Sequence, residues 1–181
     1  MGVVELVVVA IWIMLPAYLP NNVAVIAGGG RPIDGGQTFR GARLLGDGKT
    51  WRGTAAGIGA GVLTALVLNA GHEAITTILG VGVPVFALGA IVGLPVGAML
   101  GDILASFIKR RTGRERGASF PLVDQLDFVV VALGLTAILS PTWTVETFTL
   151  PLVVVIIVIT PILHITTNVL AYILGLKAEP W

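Results

Sequence analysis

Asp124 and Asp127 stand three residues apart in FPLVDQLDF (residues 120–128), and a third acid, Asp102, lies in GDILASFIKRR (residues 101–111). Two carboxylates one helical turn apart repel each other unless a cation lies between them, and hard oxygen ligands beside a phosphate suit magnesium. Helix N-termini also favour acids, so capping by Asp124 or Asp127 is the competing reading. Asp102, Ser106, Lys109 and Arg110 follow at i, i+4, i+7 and i+8, which puts them on one face of a helix. An aspartate inside an apolar helix costs roughly 2.5 to 3.5 kcal/mol on insertion scales, and is tolerated where a partner or a water-filled cavity compensates. Asp102 therefore marks a site, or it forms an internal ion pair with Lys109 or a loop arginine.

A second constellation is LLGDGKTWRG (residues 44–53), whose Gly-Lys-Thr triplet is the kind that closes a P-loop. A Walker A loop needs a glycine five residues before the Gly48 position, and Arg43 stands there instead. The triplet also precedes an apolar run rather than following a strand. Gly46, Gly48, Lys49, Thr50 and Arg52 still offer bare backbone amides, a point charge, a hydroxyl and a guanidinium at the start of a helix, where the helix adds partial positive charge. Phosphate is favoured at such a place. The plainer reading is a basic flank of a membrane span with a helix cap.

The elements that must hold these groups are membrane helices. Of 181 residues 55% are apolar and 12% charged, with a mean hydropathy of +0.95. A bilayer core takes about 20 apolar residues per helix. Five spans are predicted, near Val3–Leu19, Gly53–Asn69, Val81–Phe107, Val123–Trp143 and Leu150–Leu176. The expected fold is an all-α integral membrane protein of five transmembrane helices, a single catalytic domain over 1–181 with cytoplasmic loops at about 20–52 and 108–122.

Of eleven basic residues, five (Arg31, Arg40, Arg43, Lys49, Arg52) fall in the first connection and five (Lys109, Arg110, Arg111, Arg114, Arg116) in the third. Basic loops stay cytoplasmic, so the expected orientation has the N-terminus outside and the C-terminus inside, with both basic connections at one cytoplasmic mouth. The first apolar stretch has neither a basic flank nor a small-residue cleavage pattern, and reads as a first helix rather than a signal peptide. Zero cysteines exclude disulfides and thiolate chemistry.

Gly89, Gly93, Gly97 and Gly101 in the third span, and Gly57 and Gly61 in the second, recur one turn apart and predict close helix packing. Pro95 and Pro161 fall inside spans and predict bends. His164 and Asn168 share a face deep in the fifth span and suit interhelical hydrogen bonding. His72 and Glu73 are placed in a short outer connection. Asn21 and Asn22, after Pro20, are expected to end the first helix at the mouth, as caps or as ligand contacts.

Three acids and many cations thus converge on one mouth walled by hydrocarbon, suited to a magnesium polyphosphate and a second substrate arriving sideways from the bilayer. Gly101-Asp102, Ser106, Lys109-Arg110 and the Asp124-Gln125-Leu126-Asp127 pair are similar to the signature of the membrane CTP:phosphatidate cytidylyltransferases, the CDP-diacylglycerol synthase family. The bacterial members have a longer connection with a Lys-Asp step and a Gly-His-Gly-Gly turn, and usually arginine where Gln125 stands. Pro20-Asn21-Asn22, Pro32-Ile33-Asp34 and Asp47-Gly48-Lys49-Thr50-Trp51-Arg52-Gly53 resemble instead the archaeal branch, the CDP-archaeol synthase family, over essentially the whole chain.

The resemblance implies CTP and magnesium, an unsaturated archaetidic acid as acceptor, and CDP-archaeol and pyrophosphate as products. It makes Asp102, Asp124 and Asp127 the expected metal ligands. Lys49, Arg52, Lys109 and Arg110 are the expected phosphate grips, with Gly48, Thr50 and Ser106 beside them. Asn21 and Asn22 are candidates to read the base. The expected partners are CTP, a lipid phosphate and the bilayer, with no nucleic acid, and the sequence sets no oligomeric state. A CDP-alcohol phosphotransferase is disfavoured because neither DGGQTFRGAR nor GDGKTWRG has its aspartate spacing. An anion transporter or channel subunit is disfavoured because no chain of charges crosses the bilayer.

Overall fold

The computed structural model describes residues 1–112 and 123–175, without the side chains of Val123 and Asp124. The order is α1 (Val3–Ile26), a hairpin of β1 (Thr38–Phe39) and β2 (Ala42–Arg43), α2 (Trp51–Leu79), α3 (Leu88–Arg111), α4 (Val123–Leu139), a short α5 (Pro141–Thr147) and α6 (Leu150–Ile173). Helices α1, α2, α3 and α6 are long and apolar enough to cross a bilayer, and the apolar part of α4, Gln125–Leu139, is shorter.

Small residues let these helices touch backbone to backbone. Methyl groups added at Gly89, Gly93, Gly97 and Gly101 would meet Leu139, Thr136, Ala132 and Phe128 of α4 at distances real side chains do not adopt. The stripe is therefore the α3–α4 seam, and the order of the contacts makes the two helices antiparallel. On α2, Gly53, Gly57 and Gly61 lie against the carbonyl oxygens of Ala24, Pro20 and Pro16 of α1, and Gly57 and Gly61 also meet Met99 and Pro95 of α3. Pro20 has no N–H to give the Pro16 carbonyl, and that is the carbonyl Gly61 packs against. Between α1 and α6 the tie is polar, Tyr18 and Thr160 sharing a hydroxyl hydrogen bond of 2.7 Å.

Several boundaries differ from those expected. Helix α1 does not stop at Pro20-Asn21-Asn22 but runs to Ile26, because the tertiary packing of Gly53 and Gly57 on its last turns, against the Ala24 and Pro20 carbonyls, outweighs the missing proline N–H. Helix α2 continues to Leu79 and ends on left-handed Gly80, so His72 and Glu73 lie inside it rather than in a connection. Helix α3 begins at Leu88, and residues 81–87, with Pro84, are not helical. The expected fourth span is broken at Ser140-Pro141, where the ring removes a backbone donor, into α4 and α5. Asn168 Nδ2 lies 3.1 Å from His164 Nδ1 one turn earlier on α6. The 108–122 connection beyond Thr112, and Leu176 and Lys177, lie outside the described residues.

Candidate functional site

The end of α1, the start of α2, the end of α3 and the start of α4 meet at one end of the bundle. Gly53 sets α2 against the Ala24 carbonyl, and Gly101 sets α3 against Asp127 and Phe128. Asp102 follows Gly101 directly, so Asp102 and Asp127 belong to touching turns of adjacent helices. Asp127 Oδ1 accepts from the Phe128 amide.

The partner of Asp102 is Lys49. The Lys49 ammonium donates to Asp102 Oδ2, and both side chains are about three-quarters covered, at 23% and 29% exposed. The anticipated ion pair is therefore real, but it is made by the lysine of the Gly-Lys-Thr triplet rather than by Lys109 or an arginine. Thr50 is the N-cap of α2, its hydroxyl oxygen accepting from the Gly53 amide at 3.1 Å. The cap reading of the triplet therefore holds, and the Thr50 hydroxyl proton is left to donate elsewhere.

Arg52 donates through Nε to the Ala27 carbonyl at 2.8 Å and through Nη2 to the Gly28 carbonyl, clamping the negative end of α1. Ser106 does not point a proton into the site, because its hydroxyl donates to the Asp102 carbonyl one turn back, at 2.9 Å. Gly48 is exposed, and Arg110 lies beside Gly46. Lys109 is half-buried on the last turns of α3. Asn22 Nδ2 reaches back to the Tyr18 carbonyl at 3.4 Å, whereas Asn21 Oδ1 is buried with no hydrogen-bond partner among the described residues. The side chain of Asp124 lies outside the described residues.

Sequence reasoning missed how the first connection is held. Arg40 (φ 53°) and Gly41 (φ 81°) form the two-residue turn between β1 and β2, a left-handed pair matched to the twist of a hairpin. Arg111, from the last turn of α3, donates to the carbonyls of Phe39 and Arg43, both at 2.9 Å, and lies over the rings of Phe39 and Phe107. The hairpin is thereby bolted to α3. Asp34, with a side chain 0% exposed, accepts from Arg43 Nη2 at 2.7 Å and Nε at 3.2 Å and from the amides of Gly36, Leu45 and Gly46. The Arg43 guanidinium foremost, and the three amides after it, hold the Asp34 carboxyl well below the usual carboxylate range. The signal was present in the Pro-Ile-Asp-Gly-Gly run, but the spacing from Asp34 to Arg43 has no meaning until the hairpin brings them together.

An apolar groove of about 430 Å³ lies along the α3–α4 seam, lined by Leu100, Ile103, Leu104, Phe107 and Val131 and roofed by Leu45 of the first connection. Among the described residues no three acids or histidines cluster closely enough to hold a metal. Asp102 and Asp127 are nevertheless hard oxygen donors on touching helices, and this donor chemistry fits magnesium.

Fold and site together define a multi-pass helical membrane protein with its polar groups gathered at one end of the bundle beside an apolar groove. The chain belongs to the CDP-archaeol synthase family: the family model described as CarS-like, CDP-archaeol synthase, matches residues 3–181. It is 62% identical to a CDP-archaeol synthase of Halobacterium salinarum over the full length of both chains. It is 60% identical to one of Natronomonas pharaonis, across 99% of this chain and all of the other, and 48% identical to one of Methanosarcina barkeri, across 93% of this chain and all of the other. A solved structure described as an intramembrane enzyme for archaeal membrane lipid biosynthesis is similar with a TM-score of 0.71 at 36% identity, covering 88% of this chain and 92% of that one.

Proposed function

We propose that this chain transfers CMP from CTP to an archaeal lipid phosphate, an unsaturated archaetidic acid, giving CDP-archaeol and pyrophosphate. Family membership over the whole chain supports the reading, and the observation that carries it to particular residues is the Lys49–Asp102 pair at the polar end of the bundle. A lipid phosphate oxygen attacks the α-phosphorus of CTP. The new P–O bond forms as the bond to the bridging oxygen of pyrophosphate breaks in line. The lipid phosphate is already ionised near neutral pH, so no strong general base is required.

Two anions must meet, and cations must hold them. Lys49 leaves Asp102 for the triphosphate, with the Thr50 hydroxyl and the amides around Gly48 as further donors. Lys109 and Arg110 extend the positive charge along the end of α3. Asp102, Asp124 and Asp127 would hold magnesium, which when bound supplies screening of the anions and of the charge on departing pyrophosphate. The groove is lined by Leu100, Leu104 and Phe107, exposed on the flank of α3, which suits a substrate delivered from the bilayer. Asn21, whose buried carbonyl oxygen lacks a donor among the described residues, suits the exocyclic amine of cytosine.

The same reading counts α4 as the fourth of five spans, with α1, α2, α3 and α6 as the others, takes the N-terminus as outside the cell membrane, and puts the site on the cytoplasmic side with the two basic connections. The test is incubation of purified protein with labelled CTP, magnesium and the lipid phosphate. A CDP-lipid and pyrophosphate are expected together, and their absence with a competent lipid refutes the proposal.

A further inference from the structure

Lys49 sits in a loop, yet its ammonium must be delivered to one place. The backbone leading to it is unusually constrained. The Lys49 amide donates to the Gly46 carbonyl at 3.3 Å and the Lys49 carbonyl accepts from the Ile33 amide at 2.8 Å, so the residue is fixed between the Gly46 turn and the segment that precedes Asp34. The amides of Leu45 and Gly46, which open that turn, both end on Asp34 Oδ2, at 3.0 and 3.1 Å. Gly46 has φ 100°, a backbone conformation open to glycine and rarely to other residues, so the turn is built on that residue. Arg43, which donates to both oxygens of the same carboxylate, also holds Asp47 Oδ1 at 2.7 Å, inside the turn. The strand that carries Arg43 is anchored to α3 by Arg111, nine residues along the helix from Asp102.

We propose that Asp34 is a positioning residue: with Arg43 it sets the Gly46–Lys49 turn so that the Lys49 ammonium meets the nucleotide phosphates in the register of Asp102. It touches neither substrate. A buried carboxylate that takes two guanidinium and three amide bonds defines one loop geometry, whereas water could satisfy the same amides in many. The inference rests on the reading of Lys49 as a nucleotide-gripping residue.

The experiment is a double-mutant cycle on CTP binding, read by calorimetry on the full chain in detergent, with Asp34→Asn, Lys49→Ala and the pair. Each single change is expected to weaken CTP binding roughly ten- to a hundredfold, the worth of a charge-assisted hydrogen bond. The pair is expected to bind no more weakly than Lys49→Ala alone, and the KM for the lipid phosphate is expected to stay unchanged in Asp34→Asn. A loss of fold by itself would be additive and would move both substrates. Additive losses, or wild-type CTP affinity in Asp34→Asn, overturn the inference while leaving Lys49 in the site. Wild-type affinity in Lys49→Ala overturns the reading of Lys49 and the inference with it. Should Asp34→Asn not fold, Arg43→Lys, which keeps the charge and loses the two-point fork, takes its place in the cycle with a smaller but equally non-additive loss expected.

Discussion

Gly101 offers a direct test of whether the meeting of α3 and α4 sets the chemistry. In Gly101→Ala the new methyl group would lie 2.6 Å from Phe128 Cα and 2.8 Å from the Asp127 carbonyl oxygen, whereas ordinary contact begins at 3.4 Å. Both neighbours are backbone, so no side-chain rotation relieves the clash and the start of α4 must retreat. The retreat is close to 1 Å, and a displacement of about that size at a reacting centre costs on the order of a hundredfold in rate. Overpacking costs about 1–3 kcal/mol, offset by about 1 kcal/mol of helix propensity gained on replacing glycine. The comparison is Gly59→Ala on α2, where nothing lies within 4 Å. That variant gains the propensity without the clash and is expected to melt slightly higher with unchanged turnover. Thermal unfolding in detergent and CDP-lipid formation measured on both variants decide the matter. Wild-type turnover in Gly101→Ala would mean that the spacing of Asp102 and Asp127 does not govern the reaction.

Lys49→Ala is expected to raise the CTP requirement by about tenfold or more, seen as KM in steady-state turnover, through loss of a charged phosphate contact. Asp124→Asn and Asp127→Asn are each expected to abolish CDP-lipid formation with the melting temperature kept, and full activity in both would contradict their assignment to magnesium. Thr50→Ala removes the N-cap of α2 and is expected to lower stability by about 1 kcal/mol, read as a drop in melting temperature. Asp34 has its carboxyl depressed, chiefly by Arg43, so its stabilisation is complete above the ordinary value of 3.8 and is lost as pH falls below that toward the depressed folded value. Melting temperature against pH is therefore expected to fall below about pH 4 in the native chain, and to fall less steeply there in Asp34→Asn.

What could be read in the sequence was what depends on helical period and charge. The stripe Gly89–Gly93–Gly97–Gly101 becomes the α3–α4 seam, and the acid that insertion cost singled out, Asp102, is found in an ion pair. What could not be read was pairing across the first connection. Asp34 and Arg43 are nine residues apart in a segment without period, and only the left-handed Arg40-Gly41 turn brings them together. The end of α1 was misplaced for a related reason. Proline and two asparagines are local stop signals, and the glycine face of α2 that overrides them is more than thirty residues away.

The Lys49–Asp102 pair also bears on the order of binding. Each partner satisfies the other in the free protein, so neither is left as an unpaired charge in a partly covered place. A nucleotide carrying its own cation offers both replacements at once, phosphate for the lysine and metal for the aspartate. A nucleotide without its cation would free Asp102 into a field of phosphate oxygens. CTP is therefore expected to bind much more weakly in chelator than in magnesium, and Asp102→Asn, which removes the repelling charge, is expected to narrow that difference while turnover falls. Calorimetric titration of CTP under both conditions reads the difference directly. An equal dependence on the cation in the native chain and in Asp102→Asn would detach Asp102 from the metal and leave it as the lysine's partner only.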